Sequence, residues 1–121
     1  MEWTIRRVPG FSRGLDQYEL DLTQRFHSAL TESAAEEVIT ENRLWRAFNE
    51  ALNKYEIQNA DPAKHLPPYL KRPQFWLLKK GHFVAVYHRD PVSMEAVAVI
   101  FMDRSTSSKN LKETLEELKA I

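Results

Sequence analysis

The sequence predicts a single α+β domain over residues 1–121. Apolar residues recur at helical spacing in the first half, and in the second half they form short runs rich in valine and aromatic residues. These runs follow one another closely, which is typical of an antiparallel meander with the helices segregated from it. A chain of this length can bury one hydrophobic core.

The first half is predicted as one strand followed by a helix pair. In chain order we predict a strand over 2–8, a loop over 11–14, a helix over 15–30 and a second helix over 33–56. The strand ends at Pro9-Gly10. A capping box begins the second helix at Ser33, and Thr40 marks a break within it. The short connection predicts antiparallel helices.

The second half is predicted as a proline-rich connection, a three-stranded meander and a C-terminal helix. The elements are a connection over 58–72, strands over 75–79, 82–87 and 95–102, a turn over 89–93, a cap region over 105–108 and a helix with Leu111, Leu115 and Leu118 on one stripe. Lys80-Gly81 is the predicted hairpin turn. The last strand is apolar on both sides, so both faces of the sheet should be covered.

Pairing across a two-residue turn assigns the hairpin side chains to two faces. One face carries Phe75, Leu77, Lys79, His82, Val84, Val86 and His88, and the other carries Trp76, Leu78, Phe83, Ala85, Tyr87 and Arg89. A three-residue bulged turn would exchange the faces of one strand. Alternation along the last strand places Ala96, Ala98, Ile100, Met102 and Arg104 on one side. Trp76, Leu78, Phe83 and Tyr87 should form an apolar surface buried under the C-terminal helix or a partner.

Composition excludes several classes of function. The absence of cysteine excludes a disulfide scaffold, a thiol nucleophile and a thiolate zinc site. The 17 basic and 17 acidic residues balance, whereas dedicated nucleic-acid-binding proteins usually carry net positive charge. No apolar run could span a membrane and no signal peptide is present, so we expect a cytoplasmic protein with no membrane partner. We also expect no cofactor and no metal.

Two stretches of the second half carry a resemblance to a known family. Residues 82–87, after the hairpin turn, and Phe101-Met102-Asp103-Arg104, at the end of the last strand, resemble segments of the RelE/ParE superfamily of bacterial toxin–antitoxin toxins. The order of elements is also similar to that family. The resemblance implies a helix pair on a twisted sheet and a function in binding RNA, a gyrase-like target or an antitoxin. Arg104 matches the family's arginine, but Phe83 stands where ribosome-dependent members have arginine, so binding is favoured over RNA cleavage.

Candidate site residues fall into a catalytic and a binding group. The catalytic candidates are Arg104, Arg89, Tyr87 and His88, because these residue types can stabilise a phosphoryl transition state or transfer a proton. The candidates for contact with nucleic acid or a partner are Lys79, Lys80, His82, Trp76 and Phe83. An aromatic stripe on a strand is, however, more often core, and paired lysines are common at hairpin ends.

Three functions remain open from the sequence. The first is a toxin-type protein that binds RNA, the ribosome, a gyrase-like target or an antitoxin. The second is a ribosome-dependent endoribonuclease that uses Arg104 and Arg89 with Tyr87 or His88. The third is a non-catalytic structural or regulatory module whose apolar face forms a homodimer.

Overall fold

The computed structural model describes residues 3–58, 75–90 and 92–103. Its elements are β1 (Thr4–Arg7), α1 (Pro9–His27), α2 (Glu32–Gln58), β2 (Phe75–Lys80), β3 (Phe83–Asp90) and β4 (Glu95–Met102). The α+β class and the antiparallel meander of β2, β3 and β4 are confirmed. Arg104, the predicted C-terminal helix and nearly all of the predicted connection over 58–72 lie outside the described residues.

Strand β1 joins the meander and makes a four-stranded mixed sheet. It pairs in parallel with β4, with Thr4 opposite Glu95 and Arg7 opposite Ala98. The strand order is therefore β1-β4-β3-β2. A parallel pair requires a long crossover connection, and the chain between β1 and β4 contains both helices and the other two strands.

Helix α1 begins earlier than predicted, and the predicted loop over 11–14 is part of its first turns. Proline is tolerated at the start of a helix because its missing N–H would have no partner there. Phe11 buries its ring in the core, and its backbone N–H donates to the Val8 carbonyl at 3.0 Å. The helix ends at His27, so Leu30 lies in the connection and is exposed.

Helix α2 is continuous, and the predicted break at Thr40 is absent. Thr40 Oγ1 donates to the carbonyl one turn earlier at 3.0 Å, which threonine can do without interrupting a helix. The first turn is capped by Thr31 and not by Ser33, since Thr31 Oγ1 accepts from the Ala34 backbone N–H at 3.1 Å.

The hairpin between β2 and β3 turns one residue later than predicted. Lys80 pairs with Phe83, which leaves Gly81 and His82 as the turn. Gly81 has a φ of 59°, in the left-handed region that hairpin turns use. Compared with the prediction, the later turn shifts the pairing of β3 with β2 by two residues. Because strand side chains alternate with a period of two, they keep their predicted faces.

A β-bulge in β4 overturns the predicted alternation along that strand. The pairing with β3 skips Val99, and an unpaired extra residue reverses the alternation beyond it. Ala96 and Ala98 therefore lie on one face of the sheet, while Ile100 and Met102 lie on the other.

We call the face that packs against the helices the helix-facing face. Its buried core combines Phe11, Leu15 and Leu22 of α1, Trp45, Phe48 and Leu52 of α2, and Trp76, Leu78, Phe83, Ala85, Tyr87, Ala96 and Ala98 of the strands. The predicted burial of Trp76, Leu78, Phe83 and Tyr87 is confirmed. Among the described residues, α1 and α2 cover these side chains. The C-terminal helix that we expected there lies outside the described residues, so that part of the expectation stays a prediction. Both helices carry large aromatic side chains that pack against Phe83, namely Tyr18 of α1 and Trp45 and Phe48 of α2.

The opposite face of the sheet is also buried. Its core cluster consists of Phe75, Leu77, Val84, Val86 and Met102. The expectation that both faces of the sheet are covered is therefore confirmed.

Candidate functional site

The structure brings three of the predicted site residues together on the helix-facing face. Trp76 and Tyr87 are cross-strand partners, and Arg89 follows two positions after Tyr87 on the same side of β3. Phe83 lies on this face as well, within the core. His88 lies on the opposite face, where it is exposed beside Phe75.

The other predicted residues lie at the hairpin end or outside the described residues. Lys79 and Lys80 are exposed at the end of β2. His82 lies in the turn, where it is partly buried. Arg104 is not among the described residues, so its predicted role with Arg89 stays a prediction.

Trp3, Trp76, Tyr87 and Arg89 form what we call the tryptophan–arginine cluster. The Arg89 guanidinium carbon lies 4.5 Å from the ring centre of Trp76 and 5.5 Å from that of Trp3. The two indole ring centres are 4.4 Å apart. Cation–π attraction to both rings therefore holds the guanidinium in place. Among the residues that the structure describes, Arg89 has no carboxylate partner.

Three polar atoms of this cluster are buried without a hydrogen-bond partner among the described residues: Trp76 Nε1, Tyr87 Oη and Arg89 Nε. All three atoms can donate a hydrogen bond. Burial raises the pKa of the Tyr87 phenol, and the nearby Glu56 carboxylate raises it further. The phenol therefore keeps its proton at neutral pH. Buried polar groups normally have partners, so three unpartnered donors in one cluster need an explanation.

Beside the cluster, Arg7 forms an ion pair with Glu56. Arg7 Nε donates to Glu56 Oε1 at 2.6 Å, and both side chains are partly buried. The pair joins β1 to the last turns of α2. Because Glu56 neutralises Arg7, the positive charge without a partner in this described region is that of Arg89.

A second polar group, which we call the hairpin-end network, consists of Tyr18, Glu41 and His82. Glu41 Oε1 accepts a hydrogen bond from the Tyr18 hydroxyl at 2.7 Å and lies 2.5 Å from His82 Nε2. This is hydrogen-bonding distance, and which of the two groups donates depends on the tautomer of the His82 ring. The network joins α1, α2 and the hairpin turn through one carboxylate.

The environment of Tyr18 stabilises its neutral form. Burial, together with the hydrogen bond to Glu41 and its charge, raises the pKa of Tyr18 to about 12, and Arg25 opposes this effect. Arg25 Nη2 donates to the Tyr18 hydroxyl at 3.2 Å. Sequence reasoning identified His82 and missed Tyr18 and Glu41. The local sequence carries no signal for them, because Glu41 lies 41 positions away from His82.

A groove of about 400 Å³ lies between α1 and α2. Its lining consists of Glu19, Leu22, Thr23 and Phe26 of α1 and Val38, Ile39, Asn42 and Arg46 of α2. We call it the interhelical groove. Phe26 and Ile39 remain 48% and 41% exposed there. The groove was not predicted from the sequence, because its lining comes from two helices whose relative position no local pattern indicates.

No protein-family model, curated protein or solved structure matches this chain. Within residues 3–58, 75–90 and 92–103 no group of histidine, aspartate and glutamate side chains could hold a metal ion. No helix in that part of the chain is long and apolar enough to cross a bilayer. The described residues offer two binding features, which are the unpartnered donors of the tryptophan–arginine cluster and the apolar lining of the interhelical groove.

Proposed function

We propose that this chain is a protein of the bacterial toxin–antitoxin type that acts by binding a macromolecule, and that an amphipathic helix of a partner protein binds in the interhelical groove. The observation that carries the proposal is the exposure of Phe26 and Ile39, nearly half of each side chain, next to buried Leu22. Adjacent exposed apolar side chains in a groove are typical of a protein–protein contact. The resemblance of the element order to the RelE/ParE toxins supports the toxin type.

The shape of the groove favours a helix as the occupant. Two neighbouring helices form a channel into which the side-chain ridge of a third helix fits. On α1, the lining residues Leu22, Thr23 and Phe26 follow Glu19 by three, four and seven positions. This spacing corresponds to about two turns of one helical face. A partner helix with apolar residues at matching positions would cover Phe26 and Ile39.

The charges of the groove also fit an amphipathic partner. Glu19 and Arg46 contribute opposite charges to the lining, so a partner helix with charged residues of both signs beside its apolar stripe is complementary. Completing the burial of Phe26 and Ile39 would contribute about 2 kcal/mol of binding free energy.

The positions of the catalytic candidates favour binding over RNA cleavage. Tyr87 is 1% exposed beneath the helices, and His88 lies on the opposite face of the sheet. These two residues and Arg89 therefore do not share one accessible surface. A proton donor for RNA cleavage must reach the leaving oxygen of the substrate.

Co-expression in bacteria tests the proposal. The chain is expressed alone or with the product of the adjacent gene, and growth and co-purification are measured. We expect growth arrest that the neighbour relieves, and a complex between the two proteins. Phe26→Asp and Ile39→Asp should each weaken the complex by about a hundredfold, because each places a charge in the apolar contact.

Val92→Asp is the matched control, since Val92 is 94% exposed in the turn between β3 and β4. This variant should bind the partner as the wild type does. A harmless chain that binds no neighbour product would contradict the proposal, and so would equal binding by the groove variants. If the pure chain sediments as a dimer that Phe26→Asp dissociates, the occupant is a second copy and the homodimer alternative is correct.

A further inference from the structure

The tryptophan–arginine cluster combines features that an ordinary core does not combine. It holds an arginine without a carboxylate partner in the described part of the chain, and three buried donors that lack an acceptor there. Leaving a buried donor unpaired destabilises the folded state. A fold that keeps three such donors on neighbouring residues is therefore stabilised when an acceptor binds to them.

We infer that the tryptophan–arginine cluster is a binding site for a small oxyanion, a carboxylate or phosphate group that accepts hydrogen bonds from Trp76 Nε1, Tyr87 Oη and Arg89 Nε. This site goes beyond the proposed function and does not depend on it. Trp3 and Arg89 are only partly buried, so the cluster reaches the surface on their side.

Trp76, Tyr87 and Arg89 lie next to one another on the neighbouring strands β2 and β3. Cross-strand partners such as Trp76 and Tyr87 place their Cβ atoms about 5 Å apart. The Arg89 guanidinium carbon is 4.5 Å from the centre of the Trp76 ring. All three residues lie on the helix-facing face of the sheet, which is the side that the proposed anion would occupy.

The chemistry of the donors selects an anion over water. A carboxylate offers about four lone-pair sites on two oxygens, which is enough for all three donors, whereas a water molecule has two lone pairs and also brings donors of its own. Arg7 is neutralised by Glu56, so the site keeps the single positive charge of Arg89. Hydrogen bonds between that charge and an oxyanion are about twice as strong as neutral ones.

Titration of the full chain with sodium phosphate and, separately, with sodium acetate tests the site. Binding is followed by calorimetry and by indole fluorescence, against sodium chloride of the same ionic strength. We expect saturable binding of at least one of the two anions. Phosphate alone would indicate a phosphate-bearing ligand, and acetate alone a carboxylate-bearing one.

Two substitutions and a matched control locate the binding. Tyr87→Phe removes only the hydroxyl and should weaken binding about tenfold, and Arg89→Met should weaken it further by removing the charge. Tyr18→Phe is the control, because its hydroxyl already has a partner in Glu41. This variant should bind the anion as the wild type does.

The stability of the two tyrosine variants without anion gives a second readout, in which the order expected for binding is reversed. Tyr87→Phe should unfold at the same denaturant concentration as the wild type or a higher one, because the lost hydroxyl had no partner. Tyr18→Phe should unfold at a lower concentration. The inference is overturned if neither anion binds, if Tyr87→Phe binds as tightly as the wild type, or if Tyr87→Phe is less stable than the wild type without anion.

Discussion

Replacing Gly81 by alanine should destabilise the protein for two separable reasons. Gly81 has a φ of 59°, and this left-handed conformation costs an alanine about 1 kcal/mol. A Cβ added there would also lie 2.6 Å from Leu44 Cδ2 and 3.0 Å from Leu44 Cδ1. Leu44 would have to leave its rotamer, at a cost of about 1 kcal/mol. We therefore expect Gly81→Ala to lower the free energy of unfolding by about 2 kcal/mol in urea denaturation followed by tryptophan fluorescence.

Two further variants separate the cost of the left-handed backbone from the cost of the contact with Leu44. In a Leu44→Ala background the contact with Leu44 is gone, so Gly81→Ala should cost only about 1 kcal/mol there. Gly14→Ala should instead stabilise the protein by about 0.5–1 kcal/mol, because Gly14 lies inside α1. Its added Cβ would meet Phe101 at an ordinary 3.6 Å. Wild-type stability for Gly81→Ala, or an equal cost in both backgrounds, would refute this account of the turn.

Three other predictions concern titration and activity. Because the pKa of Tyr18 is raised to about 12, its contribution to stability is present below pH 10 and is lost as the pH rises toward 12. Between pH 10 and pH 12 the wild type should therefore lose stability more steeply than Tyr18→Phe. Parallel curves of stability against pH would contradict this. Backbone hydrogen bonds from Val92 and Ser93 lower the pKa of Asp90, so Asp90→Ala should be less stable than the wild type at neutral pH, with a gap that closes in acid as Asp90 becomes protonated. Messenger RNA on ribosomes should stay intact with the wild type, and cleavage that Arg104→Ala abolishes would instead establish the endoribonuclease alternative.

The helices and the meander could be predicted from periodicity, but two features of the sheet could not. In β4 nearly every residue is apolar, so the sequence has no alternation in which a bulge at Val99 would be visible. Strand β1 is short, and its pattern indicates a strand without indicating a partner. Its pairing with β4 joins residues that lie far apart in the sequence, such as Thr4 and Glu95.

The individual residues of the candidate site could be predicted from the sequence, but their contacts with residues far away in the chain could not. Trp76, Tyr87 and Arg89 were identified because they share a strand face, which a period of two reveals. Trp3 lies far from them in the sequence, and no local pattern indicates this contact. For the same reason the partner of His82 could not be predicted, since Glu41 belongs to a different helix.

The pairing of β1 with β4 has a consequence for the order in which the protein is built. During synthesis, α1 and α2 can form as soon as they are exposed, because their contacts are local. β1 has to wait until Glu95–Met102 has been made before it finds its place in the sheet. Trp3 meets Trp76 and Arg89 only when β1 has docked, so the tryptophan–arginine cluster would be among the last parts to assemble. A nascent chain released before β4 would therefore have helices but no complete cluster.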